Sequence, residues 1–460
     1  MSLYTRFCSS VLFPAHERLK GHDSVRRLRE LEASQWWDPE RLRQYQFEQL
    51  RRFLAGIGHR VPYYRDLFGR TGFDPVRMDS IEELGMLPLL RKPDIRANVE
   101  RLKAEGATGL KRYNTGGSSG EPLVFFIGRD RRSHDVAAKW RATRWWDVDI
   151  GDRELVVWGS PIELGAQDRL RILRDRLMRS DLLPAFEMSE ASLDRYVDAI
   201  RTKRPRMLFG YPSSLSLIAT HARKRGIDLG GLAIEVAFVT SERLYDHQRE
   251  IIESVFGCRV ANGYGGRDAG FIAHDCPARR MHISADDIVV EILDDDGRPA
   301  EPGQVGEIVV THMATADFPF VRYATGDRAS VDPKPCPCGR GLPVLSEIEG
   351  RSTDFVVAAD GTVMHGLALI YVIRDLPEVE RFKIVQHDLA HTEVLLVPGA
   401  DFDTSLESLI RAEFQRRLGA TVAVTIRKVD AIPREASGKF RYVVSNVAPK
   451  TRTAAMSDAA

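Results

Sequence analysis

Between residues 24 and 68, apolar side chains recur at helical spacing: Leu28, Leu31, Trp36, Leu42, Phe47, Leu50, Phe53, Leu54 and Ile57, with Arg and Glu between them. This pattern predicts amphipathic helices, an apolar stripe packed inward beneath a solvated charged face. From Leu110 to Gly350 the period shortens. Apolar or β-branched runs at 123–127, 154–158, 207–209, 235–239, 288–293 and 307–311 are separated by Gly and Pro and predict strands, and helical patterns at 193–204 and 213–225 lie between some of them. Alternating strands and helices predict a layered α/β domain.

After Gly350 the pattern restarts on a smaller scale. Residues 380–386 and 393–397 predict a hairpin around Asp388, 405–418 a helix and 421–429 a further strand, together a compact α+β unit of about 100 residues. The expected organisation is a large domain over 1–350, helical in its first 100 residues, a small domain over 351–450, and a disordered tail over 451–460, which is rich in small and polar residues.

Composition narrows the function classes. The 460 residues carry 66 Lys+Arg against 65 Asp+Glu, a formal charge of +1, so the chain lacks the global attraction to phosphate backbones that most nucleic-acid binders use. No apolar run reaches the 18 or so residues that a membrane span requires. The first 14 residues are broken by charge and Pro14 before they reach signal-peptide length. Five cysteines cannot make a disulfide scaffold, which points to a reducing compartment, the cytoplasm. Neither a nucleic acid nor a membrane is expected as partner, and assembly into a homodimer is left open.

The densest chemical signal is Tyr113-Asn-Thr-Gly-Gly-Ser-Ser-Gly-Glu-Pro122. Its glycines let the backbone fold around an anion, and Thr115, Ser118 and Ser119 add hydroxyl donors. A nucleoside-triphosphate P-loop needs Lys and then Ser or Thr after its last Gly, whereas Gly120 is followed by Glu121 and Pro122. A nucleophile elbow must open a helix, whereas this segment leads into a strand-like run. Taken alone, the loop could equally be a Gly/Ser hairpin turn.

Four further segments follow in order: Asn262-Gly-Tyr-Gly-Gly-Arg-Asp268, Tyr323-Ala-Thr-Gly-Asp327, Gly350-Arg-Ser-Thr-Asp354 and Pro433-Arg-Glu-Ala-Ser-Gly-Lys439. Together with the Gly/Ser loop they resemble the adenylate-forming superfamily of acyl-coenzyme A ligases and adenylation domains. Val61-Pro-Tyr-Tyr64, Gly210-Tyr-Pro-Ser213, Ala273-His-Asp-Cys276 and Cys336-Pro-Cys-Gly-Arg340 are closest to its phenylacetate–coenzyme A ligase and capsule-biosynthesis-type branch. The resemblance spans about residues 60–445. It implies the adenylate-forming fold, with a large layered N-terminal domain and a small mobile α+β lid, and it implies ATP, magnesium and coenzyme A as partners of a small-molecule carboxylic acid.

The same resemblance assigns roles. Thr115, Gly116, Gly117, Ser118, Ser119 and Gly120 would hold the β- and γ-phosphates of ATP. Tyr264 would pack on adenine, and Asp327 would accept the two ribose hydroxyls, as a two-oxygen acceptor can. Asp268 stands where the family usually carries a magnesium-binding glutamate, and Asp is also a hard oxygen ligand, on a shorter arm. Lys439 would bridge the acyl carboxylate and the α-phosphate, Arg351 would approach the nucleotide at the domain junction, and Thr353 and Asp354 would form the hinge. Tyr211 falls in the branch's aryl-binding segment, while Trp158 and Phe238 are expected to be core. Thr240-Ser-Glu242 resembles a segment near adenine, but Ser241 stands where the family has glycine.

The cysteines offer a separate constellation. Cys276, His282, Cys336 and Cys338, with His274 as a substitute for His282, supply a ligand set for a closed tetrahedral zinc site that fastens two loops about 60 residues apart. The Cys-x-Cys spacing is shorter than usual for zinc, and three buried thiols beside a histidine are the alternative. Cys8 and Cys258 stand apart. His282-Ile-Ser-Ala-Asp286 matches a generic acyl-transfer pattern of little specificity.

The leading expectation is ATP-dependent conversion of an acid, aromatic or otherwise bulky, to an acyl-adenylate with loss of pyrophosphate, followed by transfer to the coenzyme A thiol. Transfer to an amine and a non-catalytic nucleotide-binding protein are the alternatives.

Overall fold

The computed structural model describes residues 2–114, 123–159, 169–185, 187–346, 348, 355–374, 376, 378–399, 402–432 and 442–447. The apolar stripe near the N-terminus forms helices Ser24–Ser34, Pro39–Arg60 and Pro62–Thr71. Asp38 starts the second by accepting the Arg41 amide, with Pro39 in the first turn, where its missing N–H costs nothing. Leu28, Leu31, Leu42, Leu50, Phe53, Leu54 and Ile57 are buried as the spacing predicts, each such side chain contributing about 1.5–3 kcal/mol over exposure. Trp36 departs from the pattern. It lies between two helices, 54 % exposed, with the Arg340 guanidinium 4.7 Å from its ring centre.

A nine-stranded mixed sheet runs in the order Val331–Asp332, Val344–Leu345, Met281–Ile283, Gly270–Asp275, Arg259–Gly266, Val236–Thr240, Met207–Gly210, Glu154–Trp158, Ser180–Pro184. It is parallel from Ser180–Pro184 to Arg259–Gly266 and antiparallel beyond. Val236–Thr240 is buried at every position, as a strand covered on both faces must be. One face packs with the N-terminal helices, and the other with helices Glu190–Lys203, Pro212–Lys224 and Asp246–Phe256. A three-stranded antiparallel sheet, Ile288–Leu293, Gly306–His312 and Tyr323–Ala329, adjoins it.

The C-terminal part has its own core, including Val356, Leu369, Ile384, Leu396, Ile410 and Phe414. Helix Thr404–Leu418 packs with a four-stranded sheet ordered Ala423–Lys428, His391–Pro398, Val379–Gln386, Val443–Ser445. A hairpin, Phe355–Val357 with Val363–His365, pairs with the short strand Glu187–Met188 of the preceding part. The α/β class with a larger N-terminal and a smaller C-terminal unit is as expected. Among the described residues, no helix is long and apolar enough to cross a membrane.

Candidate functional site

Thr115, Gly116, Gly117, Ser118, Ser119, Gly120, Arg351, Thr353, Asp354 and Lys439 lie outside the described residues. Strands Lys111–Asn114 and Val124–Ile127, which flank the Gly/Ser segment, pair antiparallel with Asn114 opposite Val124.

Asp268, Tyr264 and Asp327 come together where the large and the small antiparallel sheet meet. Arg259–Gly266 carries Tyr264, and its register against Gly270–Asp275 shifts at Tyr264/Gly265, a bulge that re-aims the tyrosine beside the turn holding Asp268. Gly265 permits this approach: a Cβ there would lie 2.1 Å from the Gly270 carbonyl oxygen. Asp327 sits on a second irregularity. Between Ala324, opposite Val309, and Arg328, opposite Glu307, the strand advances four positions while its partner advances two. Gly326 takes φ +79° in the extra segment, the Thr325 hydroxyl donates to the Ile308 carbonyl (2.9 Å), and the Asp327 amide donates to the Thr325 oxygen (3.2 Å).

Each carboxylate is held by a tyrosine from the opposite sheet. The Tyr264 hydroxyl donates to Asp327 Oδ2 at 3.1 Å, and the Tyr323 hydroxyl donates to Asp268 Oδ2 at 2.7 Å. Asp268 Oδ1 accepts the Ala269 amide (3.1 Å). Among the described residues these are the two hydrogen bonds to this carboxylate, fewer than its oxygens can accept, so Asp268, which borders a cavity shared with Asp317, suits a hard cation that keeps waters and takes phosphate oxygens. Arg131 is buried against this turn: Nη1 reaches the Asp268 carbonyl oxygen at 3.4 Å and Nε binds Asp135 at 2.8 Å. Tyr323 and Arg131 were missed from sequence. Tyr323 stands inside the 323–327 motif and could have been weighed there, whereas nothing in the local pattern of helix Arg129–Arg144 marks Arg131.

The aromatic residues at the ends of the parallel strands form one stack. Tyr211 is buried and starts helix Pro212–Lys224, with its ring 4.2 Å from that of Trp158 at 17°. Trp158 is half-buried rather than core, whereas Phe238 is fully buried and stacks on Phe209 at 5.8 Å. Ser241 adopts φ +72°, in the left-handed region, which explains why glycine suits this position better. Glu242 Oε2 accepts the Ser213 amide at 3.4 Å.

The sulfur constellation also assembles. One ligand atom each from Cys276, His282, Cys336 and Cys338 lie within 4.8 Å of one another. Cys276 and Cys336 sulfurs are 3.6 Å apart, and Cys338 Sγ is 3.3 Å from His282 Nε2. Burial raises the Cys276 thiol to about 12 and also raises Cys336. Burial acts the same way on Cys338, but the amide and side chain of Arg340 outweigh it and its net shift is downward. Burial lowers His282 to about 4, so its ring is neutral. His274 is not part of this group: it is fully buried with its ring 4.4 Å from that of Trp145. Asp286 binds Arg141 Nη1 at 2.5 Å, a buried ion pair, and accepts Ser34, so the His282-x-x-x-Asp286 pattern is structural.

Comparison with known proteins gives two family matches, the AMP-binding enzyme family over residues 182–317 and the CapK C-terminal domain over residues 356–446. The chain is 25 % identical to phenylacetate-coenzyme A ligase of Thermus thermophilus over 447 residues, covering 88 % of this chain and 96 % of the relative. It is 24 % identical to protein CapK of Staphylococcus aureus, covering 93 % and 92 %. Among solved structures, 2-hydroxyisobutyryl-CoA ligase in complex with 2-HIB-AMP and CoA shares the fold at TM-score 0.65 and 20 % identity, covering 90 % of this chain and 91 % of that one.

Proposed function

The chain belongs to the adenylate-forming enzymes, in the branch of the phenylacetate–coenzyme A ligases and CapK, and on that footing we propose that it activates a carboxylic acid with ATP and passes the acyl group to the thiol of coenzyme A. A carboxylate oxygen attacks the α-phosphorus, the bond to the bridging oxygen breaks, and pyrophosphate leaves. The thiol then loses its proton and attacks the acyl carbon, and AMP departs with the electron pair of the broken acyl–oxygen bond. The observation that carries this reading is the pair of carboxylates, Asp268 and Asp327, each fixed by a tyrosine hydroxyl across the junction of two sheets.

In this reading Asp327 accepts the ribose hydroxyls, with the Tyr264 ring beside it against adenine. Asp268, steadied by Tyr323, would hold magnesium, which would supply charge neutralisation at the phosphates. The segment 115–120 holds the β- and γ-phosphates. Lys439 meets the charge that develops at the α-phosphate, a preorganised interaction that acts most strongly in the transition state. Residues 351–450 form the lid, turning at Thr353 and Asp354 with Arg351 at the nucleotide, and Tyr211 with Trp158 lines the acyl pocket, which suits a flat, bulky acid. The intended compartment is the cytoplasm.

The test is acid-dependent exchange of labelled pyrophosphate into ATP across a panel of aromatic and bulky aliphatic acids, followed by mass identification of the product formed with coenzyme A. Exchange with at least one acid and an acyl-coenzyme A product are expected. Absence of exchange with every acid would overturn the proposal.

A further inference from the structure

Cys276 closes the strand Gly270–Asp275, His282 lies in the neighbouring strand Met281–Ile283, and Cys336 and Cys338 stand about 60 residues later on a turn beside the same sheet. The pairing of Met281–Ile283 with Val344–Leu345 brings the two parts of the chain together. A four-coordinate zinc with bonds of about 2.3 Å to sulfur and about 2.05 Å to nitrogen sets tetrahedral edges of about 3.8 Å between sulfurs and about 3.6 Å between sulfur and nitrogen. The observed edges of 3.6 Å for Cys276–Cys336 and 3.3 Å for Cys338–His282 match within a few tenths of an ångström, and no ligand pair exceeds 4.8 Å.

The histidine is oriented for a metal, and the turns that hold the thiols are fixed by their own backbone. His282 Nδ1 lies 2.9 Å from the Leu342 carbonyl oxygen, an acceptor that fixes the proton on Nδ1 and leaves the Nε2 lone pair facing the sulfurs, as metal-ligating histidines are usually held. The turns that carry the sulfurs are closed by backbone hydrogen bonds: the Cys276 amide donates to the Arg280 carbonyl oxygen (2.9 Å), the Arg279 amide to the Cys276 carbonyl oxygen (2.8 Å) and the Gly339 amide to the Cys336 carbonyl oxygen (3.2 Å). Arg340, two residues after Cys338, supplies a cation to a centre that three thiolates and one divalent ion would leave at −1.

We propose that Cys276, His282, Cys336 and Cys338 bind a structural zinc ion that pins the turn at 336–342 to the edge of the large sheet. Three protons leave for solvent as the thiols ligate. Four protein ligands close the shell, so no position is left for substrate, and the soft S₃N set selects zinc over the hard cations that Asp268 would take. The pinned turn carries the N-terminal helices with it. The Gly341 amide donates to the Gln35 carbonyl oxygen (3.0 Å), and the Arg340 guanidinium lies 4.1 Å from the Trp145 ring centre and 4.7 Å from that of Trp36.

The experiment measures metal in the full chain, purified reduced and without chelator, then titrates zinc release with a chromogenic chelator while a thiol reagent displaces it. About one zinc per chain is expected. Cys338→Ser and His282→Gln should lose it, and His274→Gln should keep it. If the ligand variants fail to fold, cobalt(II) reconstitution of the wild-type chain provides the second readout: a thiolate-to-cobalt charge-transfer band and tetrahedral d–d absorption are expected. A chain that binds neither metal after reduction, one that holds Cys276 and Cys336 as a disulfide, or one that loses zinc with His274→Gln but not with His282→Gln would overturn the assignment.

Discussion

The tyrosine–aspartate junction and the thiol cluster flank the same antiparallel strand: Tyr264 faces Ala273 across the ladder, and Cys276 follows three residues later. The junction is half-buried and borders a cavity, and among the described residues only the Tyr323 hydroxyl and the Ala269 amide bond the Asp268 carboxylate, fewer than its lone pairs. The thiol cluster is turned inward, and its histidine has committed its second nitrogen to a backbone carbonyl. One centre is left incomplete for a ligand to finish, and the other is complete once a single ion is present. The difference between the proposed catalytic and architectural polar groups is thus visible as unspent coordinating capacity, even where both border one strand.

Substitutions can break this contrast. The largest effect is expected at Lys439→Ala, the lysine proposed above to meet the charge at the α-phosphate: adenylation measured by pyrophosphate exchange should fall about 10²- to 10³-fold, with thermal stability unchanged. Asp327→Ala should weaken ATP binding by about 1.5–3 kcal/mol, the range for hydrogen bonds to a charged group, read as a rise in KM for ATP of roughly ten- to hundredfold. Gly341→Ala tests the closed side. A Cβ there would lie 1.9 Å from the Trp37 carbonyl oxygen, so the chain should lose about 1–3 kcal/mol of stability in denaturant melts while KM for ATP stays constant. The smallest change is expected at Tyr323→Phe. Asp268 keeps the Ala269 amide, and Tyr323 acts on the reaction only through it, so a drop of up to about tenfold in kcat/KM and a higher magnesium requirement are expected. If Gly341→Ala instead moved KM for ATP, or Tyr323→Phe only moved stability, the division between the two centres would fail.

Much of the frame was legible along the chain because the deciding residues are apolar and contiguous. The Glu154–Trp158 and Ile288–Leu293 strands appear with the bounds that their β-branched runs predict, and the second domain's hairpin, helix and outer strand lie within two residues of expectation. Arg259–Gly266 and Tyr323–Ala329 did not read as strands. Their glycines, Asn262 and Asp327 carry low strand propensity, and both are held by sheet neighbours that lie far away in sequence. The same residues spoke clearly as motifs, since glycine and aspartate mark bulges and ligand contacts while obscuring the strand beneath. Tyr211 stood out through its motif, but its stacking on Trp158 depends on two strands becoming neighbours, which no local pattern encodes. The choice of His282 over His274 likewise rests on which histidine reaches the sulfurs across a turn.

Gln35 is a small residue count from the start of the chain, yet its carboxamide oxygen takes the Trp145 indole N–H at 2.6 Å and lies 3.4 Å from Arg340 Nε, while its carbonyl receives Gly341. Anyone shortening this enzyme from its front end to ease expression would therefore be unbuttoning a seam some 300 residues downstream. Trimming that removes residue 35 should yield insoluble material rather than a leaner catalyst.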